Sequence, residues 1–479
     1  MQMKIPFRKT DRFIFICNAQ DPLADERNPH PEIVEAFLIS EQYSTANALA
    51  RIKRAQARKK LIISDNGNFS RISTFSKRYV QKGRELVDAA ARAKESGRKL
   101  PRTLLRERSK LIDAIRQDLS AQQSDSVSSK IIERQLLCAP YYLIGLEDYT
   151  IPVLGMAGLL DPVFEHVPDD IQAFQQATRD IYVRQRDGIF GNKEKLTGTV
   201  KYLVHHAYDY DTGLQAARIT RGISPDGIAV SFAGAMASRS YINSLRLGNS
   251  VVQFTESLPE PYLLGSAILL GVMKAARPET PIHLLGLGSP ILIILLSQLL
   301  RRSRAISIDS TATFKDADDG TIYGSRNAYL KMDMYKVAAH ALVTDEPYHS
   351  SSPWFSTFEK KYPSDWKSLQ RALKVTDKTD VGQLAKKLKA SPKLLERYAP
   401  FFTPMRAGTS EFLKDVRVAR AGCNYWVLKK LCTEVRKRID KGDALGRWVE
   451  GEVERYAEFG SPKWVAAVRE CHRIIKKYS

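Results

Sequence analysis

The sequence predicts an α/β protein whose main body is a (β/α)8 barrel, a TIM barrel, with a helical insertion and a basic helical C-terminal region. Three observations point there. Short β-rich runs recur that are apolar almost throughout, without the polar alternation of a sheet wetted on one face, so both faces are expected to be covered. Long stretches of helical periodicity separate them, and strand alternating with helix implies a parallel sheet. Many of the runs finish in polar or glycine clusters, as the C-terminal rim of such a barrel does where it holds its chemistry.

In chain order the eight candidate strands are RFIFICNAQ (12–20), KLIISDNG (60–67), YYLIGLED (141–148), KYLVHHAYD (201–209), DGIAVSFAG (226–234), SVVQFTES (250–257), PIHLLGLG (281–288) and RAISIDS (304–310). Helical patterns such as PYLLGSAILLGVMKAARPE and PILIILLSQLLRRSR fill the gaps. The window at 281–300 is nearly long enough to span a bilayer. Gly286, Gly288 and Ser289-Pro290 divide it, so it reads as a buried strand, a turn and a buried helix, with no membrane partner expected. Residues 1–355 are expected to form the barrel, interrupted at about 73–136 by basic helices. Residues 356–479 read as a separate helical region, basic and studded with aromatics, suited to nucleic acid.

The chain of 479 residues carries 74 Lys+Arg against 53 Asp+Glu, a formal net charge of +21. Such an excess favours a polyanionic partner through phosphate contacts. Five scattered cysteines with no CxxC pair suit free thiols in a reducing compartment and show no zinc ribbon. The first twenty residues carry charges before their short apolar run, unlike a signal peptide, so a cytoplasmic location is expected, the host cytoplasm if the chain is viral. KDADDGTIYGSRN is not a calcium loop, since its glycine falls one place early and its twelfth position is Asn327.

Two aspartates stand at strand ends before small turn-forming residues: Asp65 in IISDNGNFS and Asp309 in ISIDSTATF. Each alone suits an Asx-turn or helix cap. As a pair on one rim they suit displacement at a sugar C1′, one carboxylate forming a covalent glycosyl ester and the other passing protons.

Four segments then resemble, in order and with similar spacing, the motifs of tRNA-guanine transglycosylases: SDNGNF, DGIAVSFAGAM, HLLGLGSP and ISIDSTATF. The resemblance covers about residues 12–330. It implies Asp309 as nucleophile and Asp65 as general acid/base. Phe69 and Leu285 would sandwich the purine, and Gly234 and Gly286 would belong to the base-binding loops. The acid that pairs with the guanine edge aligns to Glu147 in one register and to Asp148 in another, and His205 of VHHA stands where the family has a base-reading glutamine.

The departures narrow the substrate. The family's cysteine-rich zinc site is missing, with no cysteine between Cys138 and Cys423, so no metal and no cofactor are expected. The arginine that follows the family's nucleophile is replaced within STA. Together with the insertion and the basic C-terminus, these features resemble the branch that acts on DNA, exchanging guanine for a 7-deazaguanine such as 7-cyano-7-deazaguanine (preQ0), in some settings beside accessory DNA-modification proteins. The alternatives are a tRNA enzyme of the same chemistry and a non-catalytic nucleic-acid-binding subunit that kept the barrel.

Overall fold

The computed structural model of the chain describes residues 13–164, 170–232, 244–247, 250–253, 260–324, 331–346, 351–404, 410–442 and 444–478. Its centre is a closed parallel barrel. The strands, in chain order, are β1 (Phe13–Asn18), β2 (Ala36–Ser40), β3 (Leu61–Asp65), β4 (Tyr142–Ile144), β5 (Val200–His205) and β6 (Gly227–Ser231). After a β7/β8 hairpin (Ser244–Leu247 and Ser250–Gln253) come β9 (Ile282–Leu285) and β10 (Ile306–Asp309). The ring runs β1-β10-β9-β6-β5-β4-β3-β2 and closes where β2 pairs with β1.

The expected eight strands and the observed eight differ by one exchange. Of the 250–257 run the described residues form β8, which pairs antiparallel with β7. A parallel neighbour needs a crossover of roughly a dozen residues or more, and β6 instead pairs directly with β9. The missing strand is AFLIS, whose five residues are all buried between β1 and β3.

Alternation along each strand separates two cores. Ile14, Ile16, Leu38, Ile63, Tyr142 and Tyr202 belong to the cluster that fills the barrel. Their neighbours Phe13, Phe15, Phe37, Ile62, Ile306 and Ile308 face outward into the helical layer. The helix Pro290–Leu300 is buried nearly all round because it lies between the barrel wall and the C-terminal helices. That is why its sequence is so apolar; among the described residues no helix is long and apolar enough to cross a membrane.

Residue 355 is not a boundary in packing. The helix Glu411–Lys441 lies against β1, and its Val416, Tyr425, Leu428 and Val435 share one core with Phe13 and Phe15. The Tyr425 hydroxyl accepts from the Glu35 N–H at 3.2 Å, and Arg436 donates to the Phe13 carbonyl at 2.9 Å. Asn424 ties the same helix to Tyr323, Thr313 and Thr321. It serves as the outer helix that closes the ring after β10. The insertion is three helices, Asn68–Glu95, Arg102–Gln122 and Asp125–Leu136. The first two pack with Thr150–Met156 around their own core, which includes Phe75, Leu86, Ile115 and Leu154. All five cysteines are buried, and none is in a disulfide.

Candidate active site

Asp65 ends β3 and Asp309 ends β10, so both lie at the C-terminal rim, in phase with the inward-facing Ile63 and Ser307. Burial pushes the Asp65 carboxyl up from 3.8 to about 6, helped by the nearby negative charges of Asp309 and Glu147 and opposed by the Gly67 N–H and the Ser40 hydroxyl. The carboxylates of Asp309 and Glu147 thus lie close enough for their charges to bear on Asp65. The local turn is built for this. Gly67 sits at φ +73 and donates its N–H to Asp65 Oδ2 at 3.1 Å, just before the helix that starts at Asn68.

Asp309 is held on one oxygen. Its Oδ1 accepts from the Gly286 N–H at 3.1 Å and lies 3.3 Å from His283 Nε2. Gly286 adopts φ +77, a backbone conformation that costs a side-chain-bearing residue strain, and this aims its N–H at the carboxylate. Leu285, one position earlier, belongs to the inner barrel cluster and is only partly buried, so it stands at the floor of the same space.

Glu147 and Asp148 have different tasks. Glu147 is buried, and its Oε1 accepts from Asn68 Nδ2 at 3.0 Å and from Asn66 Nδ2 at 3.4 Å, while Oε2 lies 2.7 Å from His206 Nε2. Glu147 Oε2 and His206 Nε2 are both buried and face each other without the alignment of a full hydrogen bond. Asp148 instead accepts from the Thr150 N–H at 2.9 Å at the start of the next helix, and its carboxyl is raised chiefly by burial. Glu147 is therefore the one tied to the Asp65 loop.

His205 is not in the site, which corrects the expectation for it. It follows the inward Val204, so its ring points outward, where Nε2 meets Thr220 Oγ1 at 2.9 Å on the helix Tyr210–Arg221. Burial pushes it down to about 4, keeping it neutral at physiological pH. His206 takes the rim position. The side chain of Phe69 and the whole of Gly234 lie outside the described residues.

Several partners in the site escape motif matching. Arg71 donates to the Asn66 carbonyl at 2.8 Å and to Asn68 Oδ1 at 3.0 Å, while also pairing with Glu41, which Arg134 contacts from its other oxygen at 2.8 Å. This clamp holds the SDNGN loop on the barrel. His283 and Ser307 are polar residues at inward positions of apolar strands, two places before Leu285 and Asp309, and alternation alone could have singled them out.

Two basic clefts lie away from these carboxylates. One of about 590 Å³ is lined by Arg301, Arg302 and Lys476 among others, and one of about 260 Å³ by Arg221, Arg277 and Arg304, beside the starts of β6, β9 and β10. Neither contains Asp65, Glu147 or Asp309; their basic side chains stand beside Glu450 and His472 in the first and beside Asp226 and Glu279 in the second. Among the described residues no group of three or more His, Cys, Asp or Glu is arranged to hold a metal ion. No protein-family model matches the chain, and no curated protein matches it at a significant level.

Proposed function

We propose that this chain is a guanine transglycosylase acting on DNA, exchanging guanine for a 7-deazaguanine base through a glycosyl-aspartate intermediate. One observation carries the reading: Asp65 and Asp309 stand at the same rim of the barrel, near enough for one charge to raise the other's pKa. The motif order in the sequence supplies the substrate class.

The chemistry follows from the two environments. An Asp309 carboxylate oxygen attacks C1′ as the C1′–N9 bond breaks, and guanine departs with the bonding pair. Asp65, raised to about 6, retains a protonated fraction near neutrality, so it can give that proton to the leaving base. In the second half the Asp65 carboxylate takes the proton of the incoming base, whose nitrogen displaces Asp309. Two displacements retain configuration at C1′. Glu147 Oε2 is the acceptor for the N1–H and 2-amino donors of the purine, with His206 beside it.

DNA is favoured over tRNA by the basic helical additions and by the missing zinc motif. Extruding a base from a duplex costs on the order of a few kcal/mol, which phosphate contacts to a chain of net charge +21 would offset. The experiment is incubation of the protein with labelled 7-cyano-7-deazaguanine and either duplex DNA or tRNA, followed by digestion to nucleosides. Label is expected in DNA; label confined to tRNA would move the activity to RNA, and label in neither would refute base exchange.

A further inference from the structure

The side chain behind the nucleophile is as ordered as the nucleophile itself. His283 is fully buried on β9 and faces into the barrel, where its ring meets the edge of Tyr202 at a centroid distance of 6.1 Å. Its Nδ1 lies 2.8 Å from Ser307 Oγ, and its Nε2 lies 3.3 Å from Asp309 Oδ1. Among the described residues Ser307, Asp309 and Tyr202 contact it. A carboxylate only accepts hydrogen bonds, so the nitrogen facing it must carry the proton. In a neutral imidazole Nδ1 is then the acceptor, and Ser307 the donor that fixes this tautomer. The 3.3 Å approach is oblique, without the alignment of a full hydrogen bond, as is common in sites without substrate.

Both donors, His283 Nε2 and the Gly286 N–H, address the same carboxylate oxygen. We propose that His283 is a positioning residue for Asp309: together with Gly286 it reserves Oδ1 as the held oxygen and leaves Oδ2 to attack C1′. The inference rests on the transglycosylase reading of the site. In the first displacement the Oδ2–C1′ bond forms and C1′–N9 breaks. Oδ1 becomes the ester carbonyl oxygen and keeps both donors. In the second, Oδ2 leaves C1′ with its electron pair, and the charge returning to the carboxylate is shared with Oδ1, where the donors stabilise it. Ser307 acts one step further back, through the imidazole. Neither histidine nor serine exchanges a proton with substrate.

The test uses the full chain with a guanine-containing DNA hairpin, measuring glycosyl-enzyme formation in a single turnover and hairpin affinity by anisotropy. H283M removes the donor at similar volume, and H283Q keeps an amide N–H near the Nε2 position. A hydrogen bond to a charged group of this kind corresponds to a rate loss on the order of ten- to a hundredfold. H283M is expected to show that loss with unchanged affinity, and H283Q to recover most of it. Wild-type speed in H283M, or equal slowing in a folded H283Q, would overturn the proposal. If H283M does not fold, S307A replaces it, with a smaller rate loss expected and no loss overturning the proposal.

Nitrogen NMR of the histidines, with His283 identified by its absence in H283Q, is expected to show a proton on Nε2. A bare Nε2 in a chain that does form the adduct overturns the positioning role alone. A wild-type chain that forms no adduct overturns the transglycosylase reading and the attack assignment together, so the two failures are distinct.

Discussion

Asp65→Asn should make the protein more stable while removing its exchange activity. The folded carboxyl is raised from 3.8 to about 6 by burial and by the charges of Asp309 and Glu147. Because the folded pKa is the higher, the native state binds the proton more tightly than the unfolded chain. Asp65 is thus neutral toward stability below both values and increasingly destabilising as pH rises from 3.8 through about 6, with the full effect above that. At about 1.4 kcal/mol per pKa unit the gap amounts to about 3 kcal/mol at pH 7.5. Unfolding entropy of about 2.1 cal/mol/K per residue, applied to 479 residues, makes this a rise of roughly 3 °C in Tm. Asparagine keeps an oxygen for the Gly67 N–H, so the turn survives. Thermal melts of both chains across pH 4–8 are the assay. The Tm gain should be largest at pH 7.5 and shrink as pH falls through 6; a variant less stable than wild type at pH 7.5, or a gain independent of pH, would refute the electrostatic account of the site.

Three further outcomes follow from the packing. Glu147→Gln should cut exchange on the order of a hundredfold, since two donors and His206 converge on a charged acceptor. Asp148→Ala should cost about 1 kcal/mol of stability, as loss of a capping bond does, and leave exchange nearly intact; the reverse pattern in steady-state assays would exchange their roles. A chain ending at residue 355 should show no cooperative melt by circular dichroism, because Phe13 and Phe15 lose the helix Glu411–Lys441 that covers them. A soluble, cooperatively melting fragment would make the C-terminal region a separate domain after all.

The barrel was legible because strands covered on both faces must be apolar almost throughout, as FIFIC and GIAV are. AFLIS carries little pattern, being five residues after a proline-rich turn, and SVVQ reads like a barrel strand because an apolar run does not reveal its pairing partner. No local signal joins the C-terminal helix to the barrel, because the contacts of Tyr425 with Phe15 and Glu35 span nearly the whole chain. In the site, the strand-end aspartates could be found from sequence. Which of two adjacent histidines faces inward depends on register: Tyr202 and Val204 point in, so His206 follows them past the strand end while His205 turns to Thr220. Glu147 and Asp148 could be separated only by their partners, Asn66 and Asn68 for the first and the Thr150 N–H for the second.

The central claim is that Asp309 carries the glycosyl group. Mixing the protein with guanine-containing duplex DNA, quenching in acid, and sequencing the adducted peptide by mass spectrometry tests it directly. The account predicts a deoxyribosyl-linked oligonucleotide on Asp309, absent in Asp309→Ala although that variant still binds the duplex. An adduct on another residue, or an unmodified Asp309 in a chain that exchanges bases, would contradict it.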